Sequence, residues 1–445
     1  MKRVIKLGLV LAAMGFASLV AADTSISIAP VKTLKINRDL STEGKACITC
    51  HQQITPGQVA DWRESRHAHA GVSCIDCHAV PEDAPHAARH ANVEDTPVFV
   101  SPLVSPKVCG RCHVAAKEQF EQSGHFRAYR QIIPKDSLHA LTMVHEGRSH
   151  EEYGDAPNET GCMQCHGTEI KLDESNRPTP ETWPNNGMGN VYPDGSTGSC
   201  TACHSRHKFS IAEARNPNAC ASCHLGPDHP NIEIFNNSKH GHVFNTEGHT
   251  YKMDTAPDAW EPGDYRAPTC ATCHMSGIGD LSVTHNVTER LYWNLWAKYS
   301  PVRGSDDMYD IRHGDGPAGR EKMKQVCNNC HSTTHTNGFF AQGDKAVMLY
   351  NEAYYKPATA MLDELKEKGL LKENPWADEF QITYYYLWHH EGRRARQGAM
   401  MGAADYAHWH GFFELQQDLY KLELIHAKRL ASGEIEADAP SAKKH

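Results

Sequence analysis

Every one of the sixteen cysteines in this chain sits in a Cys-x-x-Cys-His motif. The eight motifs are Cys47–Cys50–His51, Cys74–Cys77–His78, Cys109–Cys112–His113, Cys162–Cys165–His166, Cys200–Cys203–His204, Cys220–Cys223–His224, Cys270–Cys273–His274 and Cys327–Cys330–His331. The spacing has a chemical reason. Two thioethers to the vinyl groups of a porphyrin bring the next histidine beneath the iron, so the motif is the attachment sequence of a c-type haem. A single match could serve as half a zinc site or as a redox dithiol. Eight matches that use up all the cysteines leave none for disulfides and argue against zinc ribbons. The expectation is eight covalently attached haems, with electron transfer as the basic chemistry.

A second constellation follows the sixth motif. In "ACASCHLGPDHP" (219–230) an Asp-His pair, Asp228 and His229, stands just beyond His224. An imidazole that gains and loses a proton near neutral pH, beside a carboxylate that fixes its tautomer, suits a reaction in which protons move with electrons. The competing reading makes His229 a second axial ligand and Asp228 a turn residue. Counting does not decide, because 22 of the 30 histidines lie outside the motifs. His67, His69, His125, His145, His207, His240, His242, His249, His285, His335, His389 and His390 are candidate distal ligands. A pure electron wire would use eight such ligands, whereas an enzyme would leave at least one iron five-coordinate and the other seven bis-His.

The elements that must hold these groups are mostly helical. Residues 1–22 read as a signal peptide to be cleaved on export: basic "MKRVIK", apolar "LGLVLAAMGFASLV" and small "AAD". An uncleaved anchor is the alternative, although the apolar run is short for a membrane span. Residues 23–160 form a three-haem region and 161–344 a five-haem region. The second includes "RPTPETWPNNGMGNVYPDGSTGS" (177–199), too rich in Pro, Gly and Asn for helix or strand and expected to cap or line something. From 345 to 433 apolar residues recur at helical spacing, giving two or three long helices interrupted at Pro357 and preceded by Pro375. Residues 434–445 read as a charged, disordered tail. No strong alternating run appears, so the expected fold is mainly α, with short helices and loops wrapped around haems and little β.

Composition fits that picture. Only 40% of residues are hydrophobic, so side chains alone would build a thin core that haems must fill. The formal charge of −9 becomes −12 once Lys2, Arg3 and Lys6 are removed with the signal peptide, which argues against nucleic acid as a partner and favours small ligands or a basic redox protein.

Three stretches resemble the octahaem hydroxylamine oxidoreductase family: "GMGNVYPDGSTGSCTACHSRHKFS" (187–210), "ACASCHLGPDHPNIEIFNNSKHG" (219–241) and "YYYLWHHEGRRARQGAMMGAADYAHWHG" (384–411). The resemblance implies a periplasmic homotrimer in which the fourth haem, on Cys162, Cys165 and His166, is open to substrate. It places the distal acid–base pair on Asp228 and His229. It further implies hydroxylamine oxidation, with electrons passed through the other seven haems to a cytochrome c or a membrane quinone-linked cytochrome. Oxidising members carry a tyrosine from a neighbouring subunit cross-linked to the catalytic haem. Tyr406 is the candidate here, with Tyr384, Tyr385 and Tyr386 nearby and a plain packing role as the alternative. Members without the cross-link make ammonia from nitrite or hydroxylamine, and the 35 residues after His410 resemble their short tail. The remaining alternative is a non-catalytic electron carrier.

Overall fold

The computed structural model describes residues 39–93, 95–132, 161–227, 229–291 and 317–435. The expected signal peptide, most of the tail, His145 and Asp228 lie outside the described residues. The described residues belong to one compact unit. None of their helices is long and apolar enough to cross a membrane.

The architecture is mainly α. Helix α1 (Thr42–Ile54) starts where the Ser41 hydroxyl accepts from the Gly44 amide at 3.1 Å, and it carries the first motif. Helix α2 (Pro56–Glu64) follows with proline in its first turn, where no amide hydrogen is needed. Among the described residues the sheet is a single antiparallel pair, β1 (Ala88–Val93) and β2 (Thr96–Val100). Helix α3 (Val114–Glu121) follows the third motif. The Cys-x-x-Cys-His motifs at Cys74–His78, Cys162–His166 and Cys270–His274 are single helical turns. One turn is enough to bring both cysteines and the histidine to one side.

Two helices follow the sixth motif, α4 (Asn231–Asn237) and α5 (Lys239–Glu247). Helix α6 (Pro317–Asn328) enters the eighth motif. The described residues from 333 onward form a helical bundle: α7 (Thr333–Tyr350), α8 (Lys356–Glu367), α9 (Glu379–Tyr385), α10 (Gly392–Met400) and α11 (Phe413–Ser432). Pro357 does not end the helical path from α7. It falls in the first turn of α8, directly after a π-helical turn, Asn351–Tyr355. A proline ring collides with the carbonyl four residues back in a regular helix, and a widened turn relieves that clash. Two more π-helical turns, Tyr386–Glu391 and His408–Phe412, lead into α10 and α11. Gly433, at φ 70°, ends α11 in the left-handed conformation.

Apolar packing is uneven. The C-terminal bundle has a continuous core in which Tyr350, Leu365, Phe380, Leu387, Leu415 and Leu422 are fully buried. In the motif-bearing part the described clusters are small: Leu103 with Ile170 and Tyr192, and Tyr251 with Trp260 and Tyr265. A region so thin in side-chain core and so dense in haem-attachment motifs leaves its interior to be filled by cofactor once the haems are attached.

Candidate functional site

A c-type haem needs two cysteines free of other bonds and an imidazole nitrogen held in one direction. All sixteen cysteines are described, and none is in a disulfide. Several motif histidines have Nδ1 already engaged. His78 donates to the Ser101 carbonyl at 2.7 Å and His166 to the Ala128 carbonyl at 2.9 Å. His51 pairs with the Thr55 hydroxyl at 3.0 Å and His224 with Asn231 Oδ1 at 3.3 Å. Fixing Nδ1 leaves Nε2 as the lone-pair donor, aimed away from the backbone, as an axial ligand requires.

Histidines also face one another at a telling distance. With metal–nitrogen bonds near 2.0 Å, two axial imidazoles hold their ring centroids about 6 Å apart across the metal. His51 and His90 are at 5.8 Å, His113 and His67 at 6.0 Å, His78 and His207 at 6.2 Å, and His331 and His240 at 6.1 Å. His224 has two such neighbours, His125 at 6.0 Å and His229 at 6.1 Å. His285 lies within electrostatic range of His204 and His113. His335 is different: its ring stacks on His331 at 4.5 Å and 15°, one helical turn on, which leaves no room for a metal between them. His389 and His390 sit in the C-terminal bundle against Tyr385. His90 was missed in the sequence because its run, "HAARHANV", has no feature that singles out one histidine. The donor set fits haem.

The motifs are strung together through their cysteines. Cys74 lies near Cys47, and Cys77 lies near Cys109. Cys109 touches Cys200, Cys203 lies beside Cys220 and Cys223, Cys220 touches Cys270, and Cys273 lies beside Cys327. Motifs one, two, three, five, six, seven and eight therefore form a continuous series. The fourth joins at the sixth, where Cys165 touches Cys223. His229 also lies close to Cys223, so it stands beside the junction of the fourth and sixth motifs.

The fourth motif is clasped by the irregular segment that follows it. Met188 N donates to the Cys165 carbonyl at 3.0 Å and Gly189 N to the His166 carbonyl at 3.1 Å. Asn185 Nδ2 donates to the Met163 carbonyl, and Asn190 Oδ1 accepts from Thr168 N, both at 3.0 Å. Backbone meets backbone so closely that a Cβ at Gly189 would lie 2.5 Å from Tyr129 N and 2.8 Å from the His166 carbonyl oxygen. A Cβ at Gly187 would overlap Gly167 N. The glycines of "GMGN" are thus needed for approach, and the segment expected to cap something caps His166.

The C-terminal bundle reaches the same region. Asn231 Nδ2 donates to Gln397 Oε1 at 3.3 Å, and Arg394 Nε donates to the Pro227 carbonyl at 3.0 Å. Tyr406, on a short helix (Ala404–Ala407) after α10, is half-buried with its ring 4.9 Å from that of His410. Burial pushes its hydroxyl up to about 12, with Arg394 opposing and Glu233 and Glu414 adding to the rise. A phenol so shifted stays protonated throughout the physiological range.

Comparison with known proteins places this geometry. Residues 194–375 match a family model described as seven times multi-haem cytochrome CxxCH. Residues 18–79 and 108–205 match one described as cytochrome c554 and c-prime. A probable nitrite reductase-hydroxylamine oxidoreductase fusion protein of Kuenenia stuttgartiensis is 27% identical over 329 residues, 64% of this chain and 34% of that protein. The chain thus spans about a third of the length of this curated relative. Among solved structures, a hypothetical multiheme protein matches with a TM-score of 0.76 at 24% identity, over 89% of this chain and 97% of the other. The reducing HAO-like protein complex of Kuenenia stuttgartiensis matches with a TM-score of 0.62 at 21% identity, over 88% and 86%. With a haem-binding donor set along its length and these matches, the chain is a multihaem c-type cytochrome, similar in sequence to a hydroxylamine oxidoreductase fusion protein and in fold to a hydroxylamine oxidoreductase-like complex.

Proposed function

We propose that the chain is an eight-haem periplasmic oxidoreductase that oxidises hydroxylamine at a five-coordinate haem on Cys162, Cys165 and His166. The other motifs would hold seven bis-His haems that carry the electrons away. His90, His207, His67 and His240 would be the distal ligands opposite His51, His78, His113 and His331. The observation that carries the reading is the junction at Cys223: it touches Cys165 of the fourth motif and adjoins His229. An acid–base side chain would therefore stand where a haem on the fourth motif meets the electron path.

The haem would supply an iron that binds the nitrogen of the substrate and a route for electrons. The protein's own groups do the rest. His166 is held by the Ala128 carbonyl, so its Nε2 has a fixed direction. His229 would take the protons that leave hydroxylamine as electrons depart, with Asp228 beside it in sequence as the orienting carboxylate. Tyr406 of a neighbouring subunit would cross-link to the fourth haem. Electrons would pass to a small cytochrome c or a quinone-linked membrane cytochrome.

Stoichiometric reduction of an added cytochrome c by hydroxylamine, together with a red-shifted cross-linked haem band in the reduced enzyme, is the expected result. Ammonia formed from nitrite or hydroxylamine with a chemical reductant, and no such band, would reverse the direction.

The assembly proposed is a homotrimer. Trp409, Phe413, Tyr420 and Leu424 are 57%, 46%, 60% and 54% exposed and follow one another at helical spacing into and along α11. An apolar stripe of that size on one helix suits a partner helix better than water. Trp409→Glu combined with Tyr420→Glu should convert a sedimenting trimer into monomers. A wild-type chain that sediments as a monomer would refute the assembly.

A further inference from the structure

The segment that carries His229 has no regular structure of its own. Between the sixth motif and α4, the described residues Leu225, Gly226, Pro227, His229 and Pro230 belong to no helix or strand. Its shape must be imposed by contacts from outside.

Some come from α4, where Glu233 Oε1 accepts from Gly226 N at 3.1 Å, and others from one face of α10. Arg394, Gln397 and the C-cap residue Met401 lie three and four residues apart, hence on one side of the helix. Arg394 touches the segment itself, and Gln397 and Met401 touch Asn231, the first residue of α4. Arg394 Nε donates to the Pro227 carbonyl at 3.0 Å. Gln397 Oε1 accepts from Asn231 Nδ2 at 3.3 Å, and Met401 Sδ lies 3.5 Å from the same nitrogen. Asn231 in turn pairs with His224 Nδ1 through its Oδ1, and its amide donates to the His229 carbonyl at 2.8 Å. The stretch is therefore gripped two residues before His229 and two residues after it.

The guanidinium is itself held in place. Arg394 Nη1 donates to Glu414 Oε2 at 2.8 Å, Glu391 Oε1 stands 3.8 Å away, and the side chain is only 18% exposed. Glu414 at the start of α11 thus orients the fork, and the fork's other edge fixes the Pro227 peptide. Two donors on separate edges of a rigid plane are needed, which an ammonium group cannot reproduce.

We propose that Arg394 is a positioning residue for His229, acting through the Pro227 peptide to set where the imidazole stands over the fourth haem. This rests on the reading that His229 moves protons for substrate. It gives the "EGRRARQGAMM" portion of the C-terminal bundle a task at the site, although it carries no haem.

The test uses the full-length holoprotein. Arg394→Ala should keep wild-type haem content and visible spectrum while kcat falls about 100-fold, the scale expected for misplacing a catalytic group by an ångström. KM should change little, because substrate still binds at iron. Arg394→Lys should stay near the alanine level. Free guanidinium ion should restore part of the alanine variant's rate and leave the wild type unaffected. Wild-type kcat in Arg394→Ala would overturn the proposal. So would a loss of rate that guanidinium does not rescue, or one that accompanies loss of haem, since either marks a general structural role. Full activity in His229→Ala would instead remove the reading on which the proposal rests, whatever Arg394 does.

Discussion

His229→Ala is expected to leave every haem attached and the visible spectrum unchanged while lowering kcat for hydroxylamine by about 10²–10⁴-fold, the usual worth of a positioned acid–base group. The spectrum separates the two readings of this histidine. His229 stands 6.1 Å from His224, a separation that would also suit an axial ligand, but His125 occupies an equivalent place at 6.0 Å. An iron has one distal position. If His125 fills it, the alanine variant stays low-spin at the sixth haem and loses only turnover. If His229 is the ligand, the variant gains a high-spin haem and the proton-transfer role fails. Asp228→Asn offers an independent check. It should lower kcat by a smaller factor, since it removes an orienting charge and leaves the imidazole in place.

Gly189→Val is expected to damage the fourth haem site without replacing a ligand or a catalytic group. The added Cβ would sit 2.5 Å from Tyr129 N and 2.8 Å from the His166 carbonyl oxygen, against backbone that cannot rotate away. Both neighbours help fix His166: its own carbonyl accepts from Gly189 N, and Ala128, next to Tyr129, accepts from its Nδ1. Relieving the clash must shift one of these strands, at an overpacking cost of about 1–3 kcal/mol. The expected outcome is near-complete loss of turnover with a changed signal from one haem and normal signals from the others. Wild-type activity in this variant would show that the "GMGN" segment has slack, contrary to the close approach described above. Gly195→Ala is the control, because a Cβ there meets nothing within 4 Å. Its positive φ of 77° makes some loss of stability acceptable, but turnover per folded molecule should be retained.

What was legible in the sequence was what local chemistry dictates. A Cys-x-x-Cys-His motif is complete within five residues, so the haem-attachment pattern, the mainly α class and the thin apolar core in the motif region could all be read from the chain. The Asp228–His229 pair drew attention for the same reason: both residues stand side by side. Partnerships across the chain were not legible. Nothing in "HAARHANV" marks His90 as the residue facing His51, because the facing depends on how β1 is set against α1. His335 invited assignment as a ligand by its closeness to the eighth motif. Helical geometry instead stacks it on His331, and His240 takes the facing position. Pro357 read as a break, yet a widened turn absorbs it. Arg394 stands 167 residues from Pro227 and amid other arginines, so only the folded bundle singles it out.

The glycines of "GMGN" show the intermediate case. They belong to a stretch whose resemblance to the family was visible, but the reason for them was not. That reason is the contact between two backbone segments, 165–167 and 187–190, each too irregular for its path to be foreseen.

The most direct measurement is a ligand titration of the oxidised and reduced holoprotein with cyanide and nitric oxide, followed by electron paramagnetic resonance and counted against total haem. A substrate-binding iron demands that a single haem per chain respond, and that Cys165→Ser or Gly189→Val diminish that response selectively. Eight saturated centres, none of which takes up either ligand, would contradict the account and leave a conductor with no place for chemistry.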